Sequence, residues 1–330
     1  MLRLLFSMLT LGWLAAPAHA QAAPTVNINE YGPPEYGFGL TEKEALEGWI
    51  SLFDGKSTFG WTQSKMDKDR LSGGETTSHF GPSLLHAEVI EPGQLIVANQ
   101  VVTLSRGPCT AVVAPDKPAT IRLAGGAVLR SLVLQPLKLA PLFNGKDLTG
   151  WKRIDRAKTP PDRLAKWTVE NGAIHAVGGP SCLEYQERKF GDLIWQVEAR
   201  MNVRQANGGL FFRAIPGDFM NGYEAQMYNR CIDGDPGKPA VWATGAIDDR
   251  QNARRLMSRD GHWFVQTVIA QGPHIATWVN GHQTVDWTDT RPKDPNPRQG
   301  LRVEPGVLQL QAHDTGTDIE FGKLSVRALD

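Results

Sequence analysis

Cysteine is scarce. Cys109, Cys182 and Cys231 are the three in 330 residues. None falls in a Cys-x-x-Cys pair or at ligand spacing from a His, which argues against a structural zinc site. The odd count excludes a complete set of intrachain disulfides; a bridge between Cys182 and Cys231, which fall in the same half, stays open. Net charge is also missing: 35 Lys and Arg balance 35 Asp and Glu, with no basic block. That argues against nucleic acid and anionic membrane as partners. Helical periodicity is almost absent. After the first twenty residues no apolar run is long enough for a transmembrane helix.

What is present begins with a leader. Arg3 precedes an apolar run from Leu4 to Leu14, and Ala18-His19-Ala20 is a small-x-small cleavage site. This order predicts a signal peptide over residues 1–20, cut before Gln21, and a periplasmic or secreted protein. No Cys follows the cut, so a lipid anchor is not indicated. Residues 21–48 read as a Pro/Gly/Tyr-rich arm and a short helix opened by the capping box Thr41-Glu42-Lys43-Glu44 and ended by Gly48.

An internal repeat follows. Residues 51–61 (SLFDGKSTFGW) and 141–151 (PLFNGKDLTGW) align without gaps and share six of eleven residues. Such a pair marks two related starting elements. Residues 49–140 hold short β-rich runs separated by turns such as Pro92-Gly93 and Gly125-Gly126, the cadence of a small accessory sandwich or barrel. From 141 to 330 the strands lengthen, with Asn171-Gly172 and Asn280-Gly281 as type I′ hairpin turns. The fold class predicted is all-β: a jelly-roll sandwich over 141–330 with a smaller N-terminal β-rich unit.

Strand alternation sorts the polar side chains. Arg213 shares a face with Phe211, Glu224 with Gln226, and His313 with Gln309 and Gln311, each opposite apolar neighbours. If these faces belong to one sheet, they form a groove; Asn207, in the Asn207-Gly208-Gly209 turn, would adjoin it. The alternative is an ordinary solvated face. Asp233-Gly234-Asp235-Pro236-Gly237 lacks the spacing of a calcium loop and reads as a turn. Asp248-Asp249-Arg250 and Arg254-Arg255 read as charged loops that could rim the groove. The ten Trp suit both a core and stacking on sugar rings.

The ordered motifs Leu142-Phe143-Asn144-Gly145-Lys146-Asp147-Leu148-Thr149-Gly150-Trp151, Asn207-Gly208-Gly209-Leu210-Phe211-Phe212-Arg213, Gly222-Tyr223-Glu224-Ala225-Gln226, Trp278-Val279-Asn280-Gly281 and Leu310-Gln311-Ala312-His313-Asp314 resemble the 3-keto-disaccharide hydrolase domain family. The resemblance covers 141–330. It implies a concanavalin A-like sandwich and cleavage of glycosides already oxidised at C3, by hydrolysis or by elimination and hydration. A C3 ketone acidifies the C2 proton, so the reaction needs a base, an acid at the leaving oxygen and a group polarising the ketone. On this reading Glu224 and His313 are base and acid, Arg213 or a metal polarises the ketone, and Asn207, Gln226 and Gln311 orient hydroxyls. Arg213 beside Glu224 would hold that carboxyl ionised and lower its pKa. No cofactor is indicated, though a divalent metal stays open. One departure stands out: Thr244-Gly245-Ala246-Ile247-Asp248 carries Asp where the family commonly has Tyr. A non-catalytic lectin-like module is the competing reading. A retaining glucanase would need a closely spaced run of acids that the chain lacks.

Overall fold

The computed structural model describes residues 31–204 and 206–329; the expected signal peptide, its cut after Ala20 and the first part of the arm lie outside the described residues. The helix is Glu42–Leu46. Thr41 Oγ1 accepts from the Glu44 amide, and the Glu44 carboxylate accepts from the Thr41 amide at 2.8 Å, which closes the predicted box.

The chain forms four antiparallel sheets in two stacked pairs. Residues 50–136 supply the first pair: a six-stranded sheet ordered Lys65–Asp67, Arg70–Ser72, Val128–Pro136, Ser83–Glu91, Gly107–Val113, with Ile50–Ser51 joined to Val128–Pro136, and a five-stranded sheet. Along Ser83–Glu91 the residues Ser83, Leu85, Ala87 and Val89 are buried and their neighbours are not, the alternation of a sheet with one covered face. The second pair is larger. Its eight-stranded sheet runs Lys166–Glu170, Ala173–Val177, Asp318–Ala328, Leu193–Met201, Trp263–Gln271, His274–Val279, His282–Thr288, with Ala140–Pro141 added to Asp318–Ala328. Facing it, a five-stranded sheet runs Trp151–Asp155, Ser181–Tyr185, Val307–Ala312, Gly208–Ala214, Tyr223–Met227. Trp195, Val197, Leu210, Phe212, Leu310 and Phe321 fill the space between. This is an all-β sandwich of two antiparallel sheets with a smaller β unit beside it. Asn171 and Asn280 both have positive φ and each is followed by a positive-φ Gly, as type I′ turns require.

The smaller unit packs on the outer face of the eight-stranded sheet. Ile194, Ile269, Ala276 and Trp278 point away from the sandwich interior into the N-terminal core. Trp278 Nε1 donates to the Ser51 carbonyl at 3.1 Å, and Gln196 Nε2 donates to the Gly48 carbonyl at 2.6 Å.

The repeat is a physical module. Asn144 Oδ1 accepts from the Lys146 and Asp147 amides, and Asp54 Oδ1 from the Lys56 and Ser57 amides. Nine residues after each Leu, a Trp indole donates back to that Leu's carbonyl: Trp151 to Leu142 at 3.0 Å, Trp61 to Leu52. Asn and Asp interchange because the turn uses one acceptor oxygen. Gly145 and Gly55 are fixed because both backbones are left-handed there.

None of the three cysteines is in a disulfide, so the Cys182–Cys231 bridge does not form. No helix among the described residues is long and apolar enough to cross a membrane.

Candidate functional site

The outward face of the five-stranded sheet carries the polar set. Gln226 pairs with Gly209, which also pairs with Gln311; Glu224 pairs with Phe211, which also pairs with Gln309. Leu210, Leu310 and Ala225 turn into the core. Part of this face is roofed. Gln309 Nε2 donates to the Asp218 carbonyl at 2.9 Å and to Glu184 at 3.0 Å, and the Gly217 amide donates to Glu184 at 2.8 Å. These bonds bind the 215–221 loop over Phe211, with Met220 packed on it.

The uncovered remainder is a cleft of about 770 Å³, lined on its polar side by Asn207, Glu224, Gln226 and His313. The long connection from Tyr228 to His262, part of which runs hydrogen-bonded along Tyr223–Met227, supplies much of the remaining lining. Asn229 anchors that connection: its Oδ1 accepts from Thr244 Oγ1 at 2.7 Å and Ser258 Oγ at 2.5 Å, and its Nδ2 donates to Asp260 at 3.0 Å. Beyond Met220 and His313 the groove continues into a second lobe of about 650 Å³ containing Asp155, Arg156, Asp218 and Phe219. His313 therefore stands where two lobes meet.

His313 follows the last residue of its strand, and its amide donates to the Asn207 carbonyl at 3.0 Å. Its Nδ1 lies 2.8 Å from Asp314 Oδ1. A carboxylate there favours the Nδ1–H tautomer and leaves Nε2 as the free acceptor. Asn207 Nδ2 is 3.3 Å from the same Nδ1, and Asn207 Oδ1 accepts from Gln226 Nε2 at 2.8 Å. With Nδ1 donating to Asp314, Asn207 Nδ2 finds no acceptor there and stays available to the cleft; Asn207 is tied to Gln226 through its side chain and to His313 through the His313 amide.

Glu224 is 3% exposed. Its Oε2 accepts from Arg298 Nη2 at 2.6 Å, while Arg298 Nη1 donates to Asp248 at 2.6 Å. Arg298 also lies over the Phe211 ring at 5.4 Å. Burial pushes the Glu224 carboxyl up to about 8; Arg298 opposes the rise, and Asp248 reinforces it. One guanidinium shared by two carboxylates cannot neutralise both, so the raised direction is the physically consistent one. The expected lowering by Arg213 does not occur.

Arg213 belongs elsewhere. A bulge between Phe211 and Ala214, with Arg213 at φ 48°, breaks the alternation that would have aimed it into the groove. Its fully buried guanidinium donates to the carbonyls of Gly191, Gly272 and Arg302 and to Asp192 Oδ1 at 2.8 Å. It pins loops and cannot polarise a substrate ketone. Gln311 sits on the expected face but is completely buried and lines none of the cleft; neither amide atom has a hydrogen-bond partner. Among the described residues no three His, Cys, Asp or Glu side chains gather as a metal site.

Of the charged loops, Asp248 and Asp249 line the cleft. Arg254 and Arg255 do not: they hold Asp54 at 2.7 Å and Glu35 at 2.8 Å. Asp233–Gly237 is a turn closed by the Gly237 amide on Asp235. Sequence reasoning missed Arg298, Tyr228 and Trp242. Arg298 lies in an aperiodic Pro-rich loop, where only a buried acid lacking a cation could have pointed to it. Asp248 is the residue that shares Arg298 with Glu224.

No curated protein matches this chain. Among solved structures, it is similar to a proposed glycosyl hydrolase from Parabacteroides distasonis, with 19% identity over 58% of this chain and 94% of that one and a TM-score of 0.45. It is also similar to the carbohydrate binding module CBM66 from Bacillus subtilis (13%, 56% and 98%, 0.39) and to a lichenase from a mouse hindgut metagenome (12%, 57% and 97%, 0.38). Residues 138–327, more than half of the chain, match the 3-keto-alpha-glucoside-1,2-lyase-like domain, and the chain belongs to that family.

Proposed function

We propose that this protein cleaves the glycosidic bond of 3-keto-glycosides in the cleft around His313, by elimination followed by hydration. The observation that carries this reading is His313, oriented by Asp314 and standing between two lobes, in the same cleft as a buried Glu224 that keeps its proton near neutrality.

His313 Nε2 takes the C2 proton. The electrons of that C–H bond form an enolate with the C3 oxygen. The C1–O bond then breaks with the enolate electrons moving into C1–C2, and Glu224 donates its proton to the departing oxygen. Water adds at C1 and a proton returns to C2, so the net change is hydrolysis. Asn207 and Gln226 hold sugar hydroxyls. Arg298 keeps Glu224 in place. This route needs no second free carboxylate.

Export is part of the proposal: the intact mass of protein recovered outside the cytoplasm should begin at Gln21. For the site, His313→Ala and Glu224→Gln are each expected to lower turnover of a 3-keto-glucoside by ~100-fold or more. Wild-type rates in both variants would place the chemistry elsewhere. Sugar binding by a parent protein that shows no turnover would favour the lectin-like reading.

A further inference from the structure

The cleft lining is of two kinds. With Glu224, Gln226 and Asn207 it includes Ile232, Val241 and Trp242, which are 54%, 56% and 52% exposed. Three of the seven large hydrophobic side chains exposed among the described residues therefore gather on one short segment at one opening. A contiguous apolar patch of this kind on a protein surface marks a contact site.

The segment is built to hold them. Cys231 pairs with Pro239, the Ile232 amide donates to the Lys238 carbonyl at 2.8 Å, and the Ala240 amide to the Arg230 carbonyl at 3.0 Å. Beneath it, Cys231, Ala243 and Leu256 form a small core of their own. Several of its amides are spent inside the segment, and its side chains in the cleft are the apolar Ile232, Ala240 and Val241, the Trp242 indole and the cation of Arg230. No carboxylate pairs with Arg230 among the described residues.

We propose that Ile232, Val241 and Trp242 form the subsite for an aromatic leaving group, a phenolic aglycone, of the substrate whose sugar lies against Glu224, Gln226 and Asn207. This rests on the reading of the cleft as a 3-keto-glycoside site. A second sugar carries hydroxyls all around its ring, and among Ile232, Val241 and Trp242 only an indole N–H can bond them, so burying them against these three would cost. A flat aromatic ring needs apolar contact and ring stacking, and Arg230 can lie over its π-face or meet a phenolate.

The test uses the full chain and two substrates, a 3-keto-glucoside of 4-methylumbelliferone and a 3-keto-disaccharide, with Trp242→Ala and Trp242→Phe. Because Trp242 lies on the surface, the variants should keep the parent's melting temperature. Trp242→Ala is expected to raise KM for the aryl substrate by about tenfold or more, with Trp242→Phe restoring most of it, and to leave the disaccharide within about twofold. An equal loss on both substrates would make Trp242 a platform for the sugar and overturn the proposal, as would no change on either. A dimer in the parent that Trp242→Ala dissociates would also overturn it by making the patch a contact between chains. If neither substrate turns over, the 3-keto reading fails. Calorimetric binding of 4-methylumbelliferone then still decides the subsite: binding lost in Trp242→Ala supports it, and no binding by the parent sinks it.

Discussion

Replacing Glu224 by Gln removes a titrating proton from a buried site and barely changes its shape. With its pKa near 8 in the fold against an ordinary value of 4.5, the folded chain holds a proton that the unfolded chain has released throughout that interval. Stability from this group is therefore complete below about pH 4.5 and is lost as pH rises through 8. The slope reaches about 1.4 kcal/mol per pH unit, and the whole interval amounts to on the order of 5 kcal/mol, comparable to the net stability of a domain. Glu224→Gln removes that dependence, because the amide stays neutral and Asp248 still holds Arg298. The assay is urea unfolding of parent and variant from pH 5 to pH 8.5. The parent's stability minus the variant's should fall steadily with pH. Parallel curves would show that Glu224 does not titrate in this range. A difference that collapses only on acidification would show that Arg298 holds it ionised and that the assigned direction is wrong.

Gly209→Ala should lower turnover with little change in fold, because a Cβ there would lie 2.3 Å from Glu224 Oε1 and must displace a carboxyl that Arg298 holds; kcat and the melting temperature measured together separate this from general destabilisation, expected at about 1–3 kcal/mol. Trp278→Ala should cost about 3–5 kcal/mol in denaturant titrations, since Trp278 fills the N-terminal core from the other sandwich. For the same reason residues 141–330 expressed alone would bare Ile194, Ile269, Ala276 and Trp278 and should bind a hydrophobic dye, which the full chain should not. Asn144→Asp should leave thermal stability nearly unchanged, whereas Asn144→Ala should lose about 1 kcal/mol with the two amide bonds to its side chain.

The strands of the larger sandwich were legible because alternation and Asn-Gly turns are local. Tyr223–Met227 carries Glu224 and Gln226 on one face as alternation predicts, and Asn280-Gly281 turns His274–Val279 into His282–Thr288. Trp151–Asp155 and Ser181–Tyr185 give no such signal. The first is charged along most of its length, and the second is buried on both faces, so neither alternates clearly. At the site, Glu224, Gln226, Asn207 and His313 share one cleft as alternation implied. Arg213 escaped the rule because one bulged residue reverses every later side chain. Trp242 and Asp248 reach the cleft, and Arg298 reaches Glu224, from long connections, whose paths depend on tertiary hydrogen bonds such as those of Asn229 on the first of them and on no periodic signal. The N-terminal arm reads as coil, yet Glu35 binds Arg255 behind the cleft wall, a contact between residues 220 apart in sequence.

The central claim is that the chemistry depends on a ketone at C3. The most direct measurement compares kcat/KM of the purified protein on one glucoside and on its 3-keto form, with the same aglycone and linkage. The account predicts release of the aglycone from the 3-keto form and none above background from the parent glucoside, because without the ketone the C2 proton cannot be taken. Equal cleavage of both, or cleavage of the unoxidised glucoside alone, would contradict it.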